Sequence, residues 1–375
     1  MKKLLIATDT YHPWQDGVTR TLAEIIPRLK RHFEIHVLCP DMGVPEENGV
    51  ILHKVPLGNI QIKEVTGGFR FAQFKPNLVK EAVSKADVVF SQGLGPIGLL
   101  AIHYARKLKK PVASYVHTLE WERVPAVISA PILKFLTRKF MRWLTKKYYN
   151  KCDLLIVPSD NIGERLAWQG IHPHKEIIPL GVDVHTFKPG RNHELRKKLG
   201  IEERDLVIGY HGRLAREKDL PTLLRAYVHL RRKYPSLKLL IVGEGLKILT
   251  WRLEHQNGVI LSGKQQHVVP YLQCMDIYCL TSLSETTSLS TLEAMACGLP
   301  VIATPVGFIR EYLHNKENGL ITPKRDSVIL ANKIEGLIQS PELRKKLGEN
   351  ARKMIEHQFN WESTAEKIRK VLEIL

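Results

Sequence analysis

Short apolar runs alternate with amphipathic helical patterns along nearly all of the 375-residue chain. Parallel strands need such helical crossovers, whereas antiparallel neighbours can be joined by a tight turn. The alternation therefore predicts an α/β protein whose doubly wound parallel sheets are built from βαβ units. The predicted strands are Leu4–Thr8, Ile35–Cys39, Val88–Ser91, Val112–Val116, Leu154–Pro158, Leu206–Tyr210, Lys238–Val242, Val259–Ser262, Ile277–Leu280 and Val301–Thr304.

The alternation pauses at the polar segment 185–205, and a chain of this length is too long for one ordinary hydrophobic core. We therefore predict a first domain over residues 1–184 and a second over residues 185–355. The closing segment, residues 356–375, has the apolar periodicity of an amphipathic helix. This helix is expected to pack back on the first domain.

The formal net charge of +18 is spread about evenly over the two halves of the chain. Many nucleic-acid-binding proteins carry a separate basic arm or tail, and this pattern is not of that kind, so no nucleic-acid partner is expected. The charge suits an anionic substrate or an anionic membrane surface. It also suits solubility alone.

The five cysteines form no CxxC pair, and several fall inside predicted strands or helices. They indicate reduced core residues, with neither a disulfide framework nor a zinc site. The first apolar run is too short for a signal peptide, and no run reaches the length of a membrane span. The expected location is the cytoplasm, free or on the cytoplasmic face of the membrane.

Two carboxylates, Glu285 and Glu293, flank the turn between the predicted strand Ile277–Leu280 and a predicted helix that Gly298 ends. Parallel sheets bind ligands at such junctions, where the first N–H groups of the helix suit a phosphate. Carboxylates on both sides would hold sugar hydroxyls. The alternative is that Glu285 is a solvated loop carboxylate and that Ser290 and Glu293 form a capping box.

Two cations, Arg213 and Lys218, follow the predicted strand Leu206–Tyr210 at the start of the next helix. Arginine binds phosphate oxygens as a fork and lysine as a point charge, so the two would suit a diphosphate. The alternative is a pair of solvated surface charges.

In the first half, Gly17 and His117 each follow a predicted strand. A glycine that opens a helix lets the backbone approach a phosphate, and a histidine at a strand end faces a cleft. The alternatives are an ordinary turn and a structural histidine. The run GLGPIG, residues 93–98, fits the dinucleotide motif GxGxxG only weakly, because it does not lie in the first βα unit of its domain.

Residues 129–151 predict a basic amphipathic helix. Lys134, Arg138, Arg142 and Lys146 recur every four residues beside an apolar stripe that includes Trp143. This pattern is typical of helices that lie on anionic lipid. The alternative is a helix packed on its own sheet with a solvated basic face.

Taken in order, these segments resemble the retaining glycosyltransferases of family four. The resemblance is carried by the paired glutamates Glu285 and Glu293 with the run AMACGLPV, and by GRLAREKD, IIPLGVDVHTFKP and VGEG. It implies the GT-B fold, in which two Rossmann-like domains face each other across a cleft. It also implies a nucleotide-sugar donor, UDP- or GDP-linked, with no cofactor and no metal.

The same resemblance implies roles for single residues. Arg213 and Lys218 would bind the donor diphosphate and stabilise the leaving group, Glu285 would bind hydroxyls of the donor sugar, and Glu293 those of the ribose. The amides around Thr287, Ser288 and Leu289 would bind the β-phosphate, with Gly17 approaching from the first domain and His117 lying near the transferred sugar. No catalytic base is implied.

The chain departs from the family pattern at Thr286-Thr287-Ser288, where glycine, an aromatic residue and glycine are usual, and at Asp219 and Leu180. DGVTRTL and SYVHTLEW resemble the members that glycosylate lipids such as diacylglycerol or phosphatidylinositol derivatives. The expected reaction is transfer of a hexose to a lipid or lipid-linked acceptor at the membrane surface. The alternatives are a soluble sugar or polysaccharide acceptor, or a sugar-nucleotide epimerase.

Overall fold

The computed structural model describes residues 1–14, 16–43, 48–61, 70–126, 128, 130–285 and 287–375. Residue 129, where the predicted basic helix begins, and Thr286 lie outside this described part. The chain divides into two units. One unit comprises Met1–Leu180 together with Trp361–Leu375, and the other comprises Gly181–Asn360.

The first unit contains a seven-stranded parallel sheet with the order β3-β2-β1-β6-β7-β8-β9 and a separate antiparallel pair, β4-β5. Its strands are β1 Lys2–Ala7, β2 Phe33–Pro40, β3 Val50–Val55, β4 Leu57–Gln61, β5 Arg70–Ala72, β6 Val88–Ser91, β7 Val112–Tyr115, β8 Leu154–Val157 and β9 His174–Ile177. Its helices are α1 Gly17–Leu29, α2 Pro76–Lys85, α3 Pro96–Lys107, α4 Glu120–Ala126, α5 Pro131–Tyr149, α6 Asp160–Trp168 and the final helix α15, Trp361–Ile374.

The second unit contains a six-stranded parallel sheet with the order β12-β11-β10-β13-β14-β15. Its strands are β10 Leu206–His211, β11 Leu237–Val242, β12 Val259–Leu261, β13 Ile277–Leu280, β14 Val301–Ala303 and β15 Leu320–Ile321. Its helices are α7 His193–Lys198, α8 Leu220–Arg231, α9 Lys247–Glu254, α10 Val269–Leu272, α11 Leu289–Ala296, α12 Ile309–Tyr312, α13 Ser327–Gln339 and α14 Pro341–Gln358, with a 3₁₀ turn over Arg216–Lys218.

All ten predicted strands are present, each within two residues of its predicted bounds. The sequence prediction missed β3, β9 and β15, which lie at sheet edges, and also the pair β4-β5. Strands β3 and β9 are mostly half-buried or exposed and carry charged or polar residues, and β15 has only two residues. Strands β9 and β15 have no long apolar run, and that of β3 is limited to residues 50–52, before His53 and Lys54. A continuous apolar run was the signal used for prediction.

The strand order places a topological switch point in each sheet. Strand β10 has β11 on one side and β13 on the other, and β1 likewise lies between β2 and β6. Loops leaving the carboxyl ends of β10 and β13 therefore open away from each other and leave a crevice between them, as do those of β1 and β6. These loops and the helices that follow them contain the predicted site residues other than His117, which follows β7.

The final helix α15 packs on α1 within the first unit. Its apolar face is buried at Ile368 and Leu372, and the exposed edge carries an ion pair of 2.7 Å between Arg28 and Glu362. In the described part of the chain, no helix is both long and apolar enough to cross a lipid bilayer.

Candidate functional site

Lys218 and Glu285, which lie far apart in the sequence, meet at the switch point of the second sheet. The Lys218 Nζ atom is 2.6 Å from Glu285 Oε1, which also accepts a hydrogen bond of 2.6 Å from the Ser282 hydroxyl. The two side chains are only 17% and 9% exposed. The alternative of a solvated loop carboxylate is therefore wrong for Glu285.

Arg213 is differently placed. Its guanidinium pairs with Glu217 at 2.6 Å within the same loop, and its side chain is half-exposed. Such i,i+4 pairs at the surface are weak and easily exchanged for another anion. Arg213 thus lies beside the crevice as a cation that can change its partner, whereas Lys218 lies inside the crevice in contact with Glu285.

Asp219, one of the departures from the family pattern, has a left-handed backbone conformation with φ of 47°. Glycine adopts this conformation without steric cost, and aspartate is among the few other residues that tolerate it. Its carboxylate accepts a hydrogen bond of 2.7 Å from the Thr222 hydroxyl, which lies in the first turn of α8. The aspartate therefore keeps the sharp turn that aims Lys218 at Glu285.

Helix α11 begins at Leu289, with Ser288 as its N-cap in a left-handed conformation, φ 57°. The Ser288 hydroxyl contacts the hydroxyl of Thr291 at 2.9 Å and does not cap the backbone. The Thr287 carbonyl accepts a hydrogen bond of 3.1 Å from the buried Tyr312 hydroxyl, which fixes the turn from behind. The first N–H groups of a helix have no partner within it, so this end suits an anion.

Glu293 points from α11 toward the end of β10. Its Oε2 atom is 2.7 Å from Nε2 of His211, and the two side chains are 2% and 4% exposed. Ser290 is the second residue of α11 and not its N-cap, so the predicted alternative of a Ser290–Glu293 capping box is wrong. Sequence analysis did not single out His211, although its place at the end of a buried strand was a usable signal.

In the first unit, Gly17 is the first residue of α1. Asp16 caps the helix and forms a capping box with Thr19, with hydrogen bonds of 2.9 and 2.8 Å. A Cβ atom built on Gly17 would meet nothing within 4 Å. The start of α1 therefore leaves space for a ligand at Gly17. The capping of the helix by Asp16 also explains the local sequence without a ligand, as the alternative of an ordinary turn requires.

His117 follows β7 and is held by two neighbours. Its Nε2 atom is 2.9 Å from Oε1 of Gln92, and its ring stacks on Tyr115 with centroids 4.4 Å apart. Gln92 follows the adjacent strand β6, so both side chains lie at the carboxyl edge of the first sheet. Gln92, the partner of the predicted site residue His117, was not singled out from the sequence.

The glycine run 93–98 does not offer a dinucleotide site. The Asp9 carboxylate accepts hydrogen bonds from the backbone N–H groups of Ile97, 2.8 Å, and Gly98, 3.2 Å. A Cβ atom on Gly95 would lie 2.3 Å from Asp9 Cγ, and one on Gly98 would lie 2.0 Å from the Gly93 carbonyl oxygen. The glycines allow this packing, and a protein carboxylate occupies the position of a pyrophosphate.

None of the described residues form a group of three or more His, Cys, Asp or Glu side chains suited to a metal ion. Around Lys218 and Glu285, the described residues supply charged and hydrogen-bonding groups. A cation, a buried carboxylate and a helix N-terminus at one sheet edge suit a ligand with both anionic and hydroxyl groups.

Two sequence profiles together match most of the chain. That of Glycosyltransferase Family 4 matches residues 15–186, and that of Glycosyl transferases group 1 matches residues 191–354. An alpha-monoglucosyldiacylglycerol synthase from Streptococcus pneumoniae is 26% identical over 353 residues, which cover 90% of this chain and 78% of that protein. The synthase of the same name from Acholeplasma laidlawii is 25% identical, covering 92% and 90%.

Solved structures agree in fold. The Anabaena protein HepE, crystallised in complex with UDP, matches with a TM-score of 0.79 at 20% identity, over the full length of both chains. Sucrose-phosphate synthase from Thermosynechococcus elongatus matches with a TM-score of 0.77 at 18% identity, covering 99% of this chain and 98% of that one. The chain belongs to glycosyltransferase family 4, the retaining glycosyltransferases with the GT-B fold.

Proposed function

We propose that this glycosyltransferase moves a hexose from a UDP- or GDP-sugar to a lipid or lipid-linked acceptor at an anionic membrane surface. The observation that carries the donor half is the buried contact between Lys218 and Glu285 at the switch point of the second sheet. HepE has been crystallised in complex with UDP and with UDP-glucose, which favours a uridine nucleotide donor here.

Lys218 and Glu285 would each have a separate role in the transfer. With donor bound, Lys218 turns its ammonium group to the diphosphate, and Glu285 is released to accept hydroxyls of the sugar. As the bond between the sugar and the β-phosphate breaks, negative charge grows on the diphosphate. A preorganised cation shielded from water stabilises that charge more strongly than water does.

The start of α11 and Arg213 complete the diphosphate site. The N–H groups near Thr287, Ser288 and Leu289 would bind the β-phosphate, because helix dipole and free donors point to the same place. Arg213 would exchange Glu217 for a phosphate and bind it as a fork. Gly17 and His117 of the first unit would serve the phosphate and the transferred sugar.

Helix α5 supports a lipid acceptor. Its residues Ile132, Phe135, Leu136, Phe140 and Trp143 are each more than half exposed, whereas Met141, Thr145 and Tyr149 are buried. Leu144 of the predicted apolar stripe packs half-buried against the core of the first unit, whereas the rest of that stripe is exposed. Large exposed apolar residues on one helix mark an interaction surface.

Basic residues accompany this exposed apolar surface. The Lys139 ammonium group lies 4.7 Å from the centre of the Phe135 ring, and that of Lys147 lies 4.6 Å from the centre of the Trp143 ring. Aromatic rings with cations at their faces suit the boundary between anionic headgroups and acyl chains. The similarity of this chain to the two alpha-monoglucosyldiacylglycerol synthases also favours a diacylglycerol-type acceptor.

Turnover with radiolabelled UDP-glucose and GDP-mannose tests the proposal, with vesicles that contain diacylglycerol or phosphatidylinositol as acceptors. We expect labelled glycolipid from the unmodified protein and a loss of at least about 100-fold for Glu285→Ala, since a charged contact made in the transition state is removed. Glu349→Ala, at an exposed ion pair on α14, is the control. If Glu285→Ala retains turnover within a few-fold, the donor-site assignment is wrong.

The products also distinguish the acceptor alternatives. Label in a soluble sugar or polysaccharide, with none in lipid, would refute the lipid half and keep the transferase. Conversion of the nucleotide sugar without any acceptor-derived product would indicate an epimerase.

A further inference from the structure

We propose that His211 is a positioning residue that holds the Glu293 carboxylate for the ribose hydroxyls of the donor. The inference rests on the proposed function, because that function supplies the ribose role of Glu293. It adds a residue outside the motifs that identified the family.

The first support is the distance between the two side chains. Nε2 of His211 and Oε2 of Glu293 are 2.7 Å apart. At that separation two lone pairs would repel each other, so the two groups together carry at least one proton. Both side chains are at least 96% buried, and an interaction shielded from water is stronger than the same interaction at a surface.

The second support is that His211 is itself held in place. It is the last residue of β10, paired with Val242 of β11, and its carbonyl accepts a hydrogen bond of 3.2 Å from the Tyr278 hydroxyl. The Tyr278 ring meets the imidazole edge-on, with centroids 5.7 Å apart. A rigid strand end thus sets where Glu293 directs its carboxylate.

The third support is energetic. A carboxylate and an imidazole in a protein interior cost desolvation energy, and apolar residues of similar volume usually pack there without loss of stability. A task for the pair in ligand binding accounts for its presence better than a task in folding. A carboxylate has about four lone-pair directions, so a contact with His211 leaves capacity to accept a hydroxyl.

Paired nucleotides with and without ribose hydroxyls test this role by calorimetric titration. The probes are UDP and 2′,3′-dideoxy-UDP, with GDP and its dideoxy counterpart as the second pair. In the unmodified protein, loss of the hydroxyls should weaken binding by about tenfold or more. His211→Leu should weaken binding of the full nucleotide by about tenfold and binding of the dideoxy nucleotide by less than about threefold.

His211→Gln keeps an N–H donor and should recover most of the affinity for the full nucleotide. His229→Leu, an exposed histidine of α8, should change neither affinity. In the Glu293→Gln background, His211→Leu should have little further effect, because the two residues act as one unit. Thermal melting without nucleotide identifies any variant that fails to fold. If His211→Leu fails to fold, the nucleotide affinities of His211→Gln test the positioning role instead.

Equal weakening of both nucleotides by His211→Leu, or no weakening of either, would overturn the positioning role. That outcome leaves the proposed function standing, because the unmodified protein still prefers the full nucleotide. Absence of UDP and GDP binding to the unmodified protein would instead overturn both.

Discussion

Lys218 and Arg213 lie five positions apart and carry the same charge, yet the structure gives them different surroundings. Lys218 is mostly buried against Glu285, whereas Arg213 is half-exposed against Glu217. Removing one residue of a buried ion pair leaves the other charge buried without compensation, which destabilises the fold. Removing one residue of a surface ion pair changes the stability little. Replacement of the two cations should therefore change the stability of the fold by different amounts, although both are proposed to bind the donor.

We expect Lys218→Ala to lower the free energy of unfolding by about 1–3 kcal/mol and Arg213→Ala to lower it by less than about 1 kcal/mol. Urea unfolding without nucleotide measures both. Lys218→Ala combined with Glu285→Ala should recover part of the loss, since the stranded carboxylate is gone. Equal losses for the two single variants would contradict the placement of Lys218.

Asp9 provides a pH-dependent prediction. Burial raises its pKa from 3.8 to about 6, although the backbone N–H groups of Ile97, Gly98 and Gly95 oppose the rise. A carboxyl whose pKa is higher in the folded than in the unfolded protein stabilises the fold fully below the unfolded pKa. This contribution is lost as the pH rises through the folded pKa.

We therefore expect the unmodified protein to lose about 2 kcal/mol of stability relative to Asp9→Asn between about pH 4 and about pH 7. The amide keeps an oxygen that can accept from the helix start, so the variant should fold. Urea unfolding at several pH values gives the difference. Parallel stability profiles for the two proteins would show that Asp9 does not titrate in this range.

At the level of residues, the sequence indicated one residue of most contacts in the candidate site but rarely the residue that it contacts. Glu285 and Lys218 could be predicted because each follows the carboxyl end of an interior strand. His211 and Gln92 were missed, because their contacts to Glu293 and His117 join segments whose spacing carries no local pattern. The pairing of Arg213 with Glu217 was also missed, although the two residues are only four positions apart.

At the level of elements, apolar periodicity located the interior strands because strands covered on both faces must be apolar. The edge strands β3 and β9 were missed because half of their surface meets water. Helix α5 shows a different limit. Its basic and apolar stripes were visible in the sequence, but only the structure shows that most of the apolar stripe is exposed.

Charge reversal on α5 tests the membrane surface. Arg138→Glu with Arg142→Glu should weaken binding to vesicles of phosphatidylcholine and phosphatidylglycerol by more than about tenfold, since each basic residue contributes about 1 kcal/mol near an anionic surface. Both residues are exposed, so the fold should be kept. Flotation with vesicles measures the bound fraction.

Lys345→Glu with Lys346→Glu is the matched control, because it changes the net charge equally on the exposed face of α14. It should retain most of the binding. If both double variants lose binding alike, net charge and not α5 is responsible. If the unmodified protein does not bind the vesicles at low salt, the lipid half of the proposal fails.

At the level of the whole molecule, the first unit is discontinuous in sequence. The chain leaves it after Leu180, forms the second unit, and returns at Trp361 to add α15. The returning helix buries Trp361, Ile368 and Leu372. Each large apolar side chain stabilises the fold by about 1.5–3 kcal/mol when fully buried, so α15 contributes an amount comparable with the stability of a whole domain.

Deletion of residues 361–375 should therefore destabilise the first unit selectively. We expect amide hydrogens of β1 and α1 to lose most of their protection against exchange, while those of β10 and β13 keep theirs, because the second unit ends at Asn360 and retains its own core. Hydrogen exchange with mass spectrometry reports both units in one experiment. Deletion of residues 374–375 alone, where Ile374 is 86% exposed, should change neither. Equal loss of protection in both units would mean that they unfold as one, and that α15 stabilises the molecule beyond the unit on which it packs.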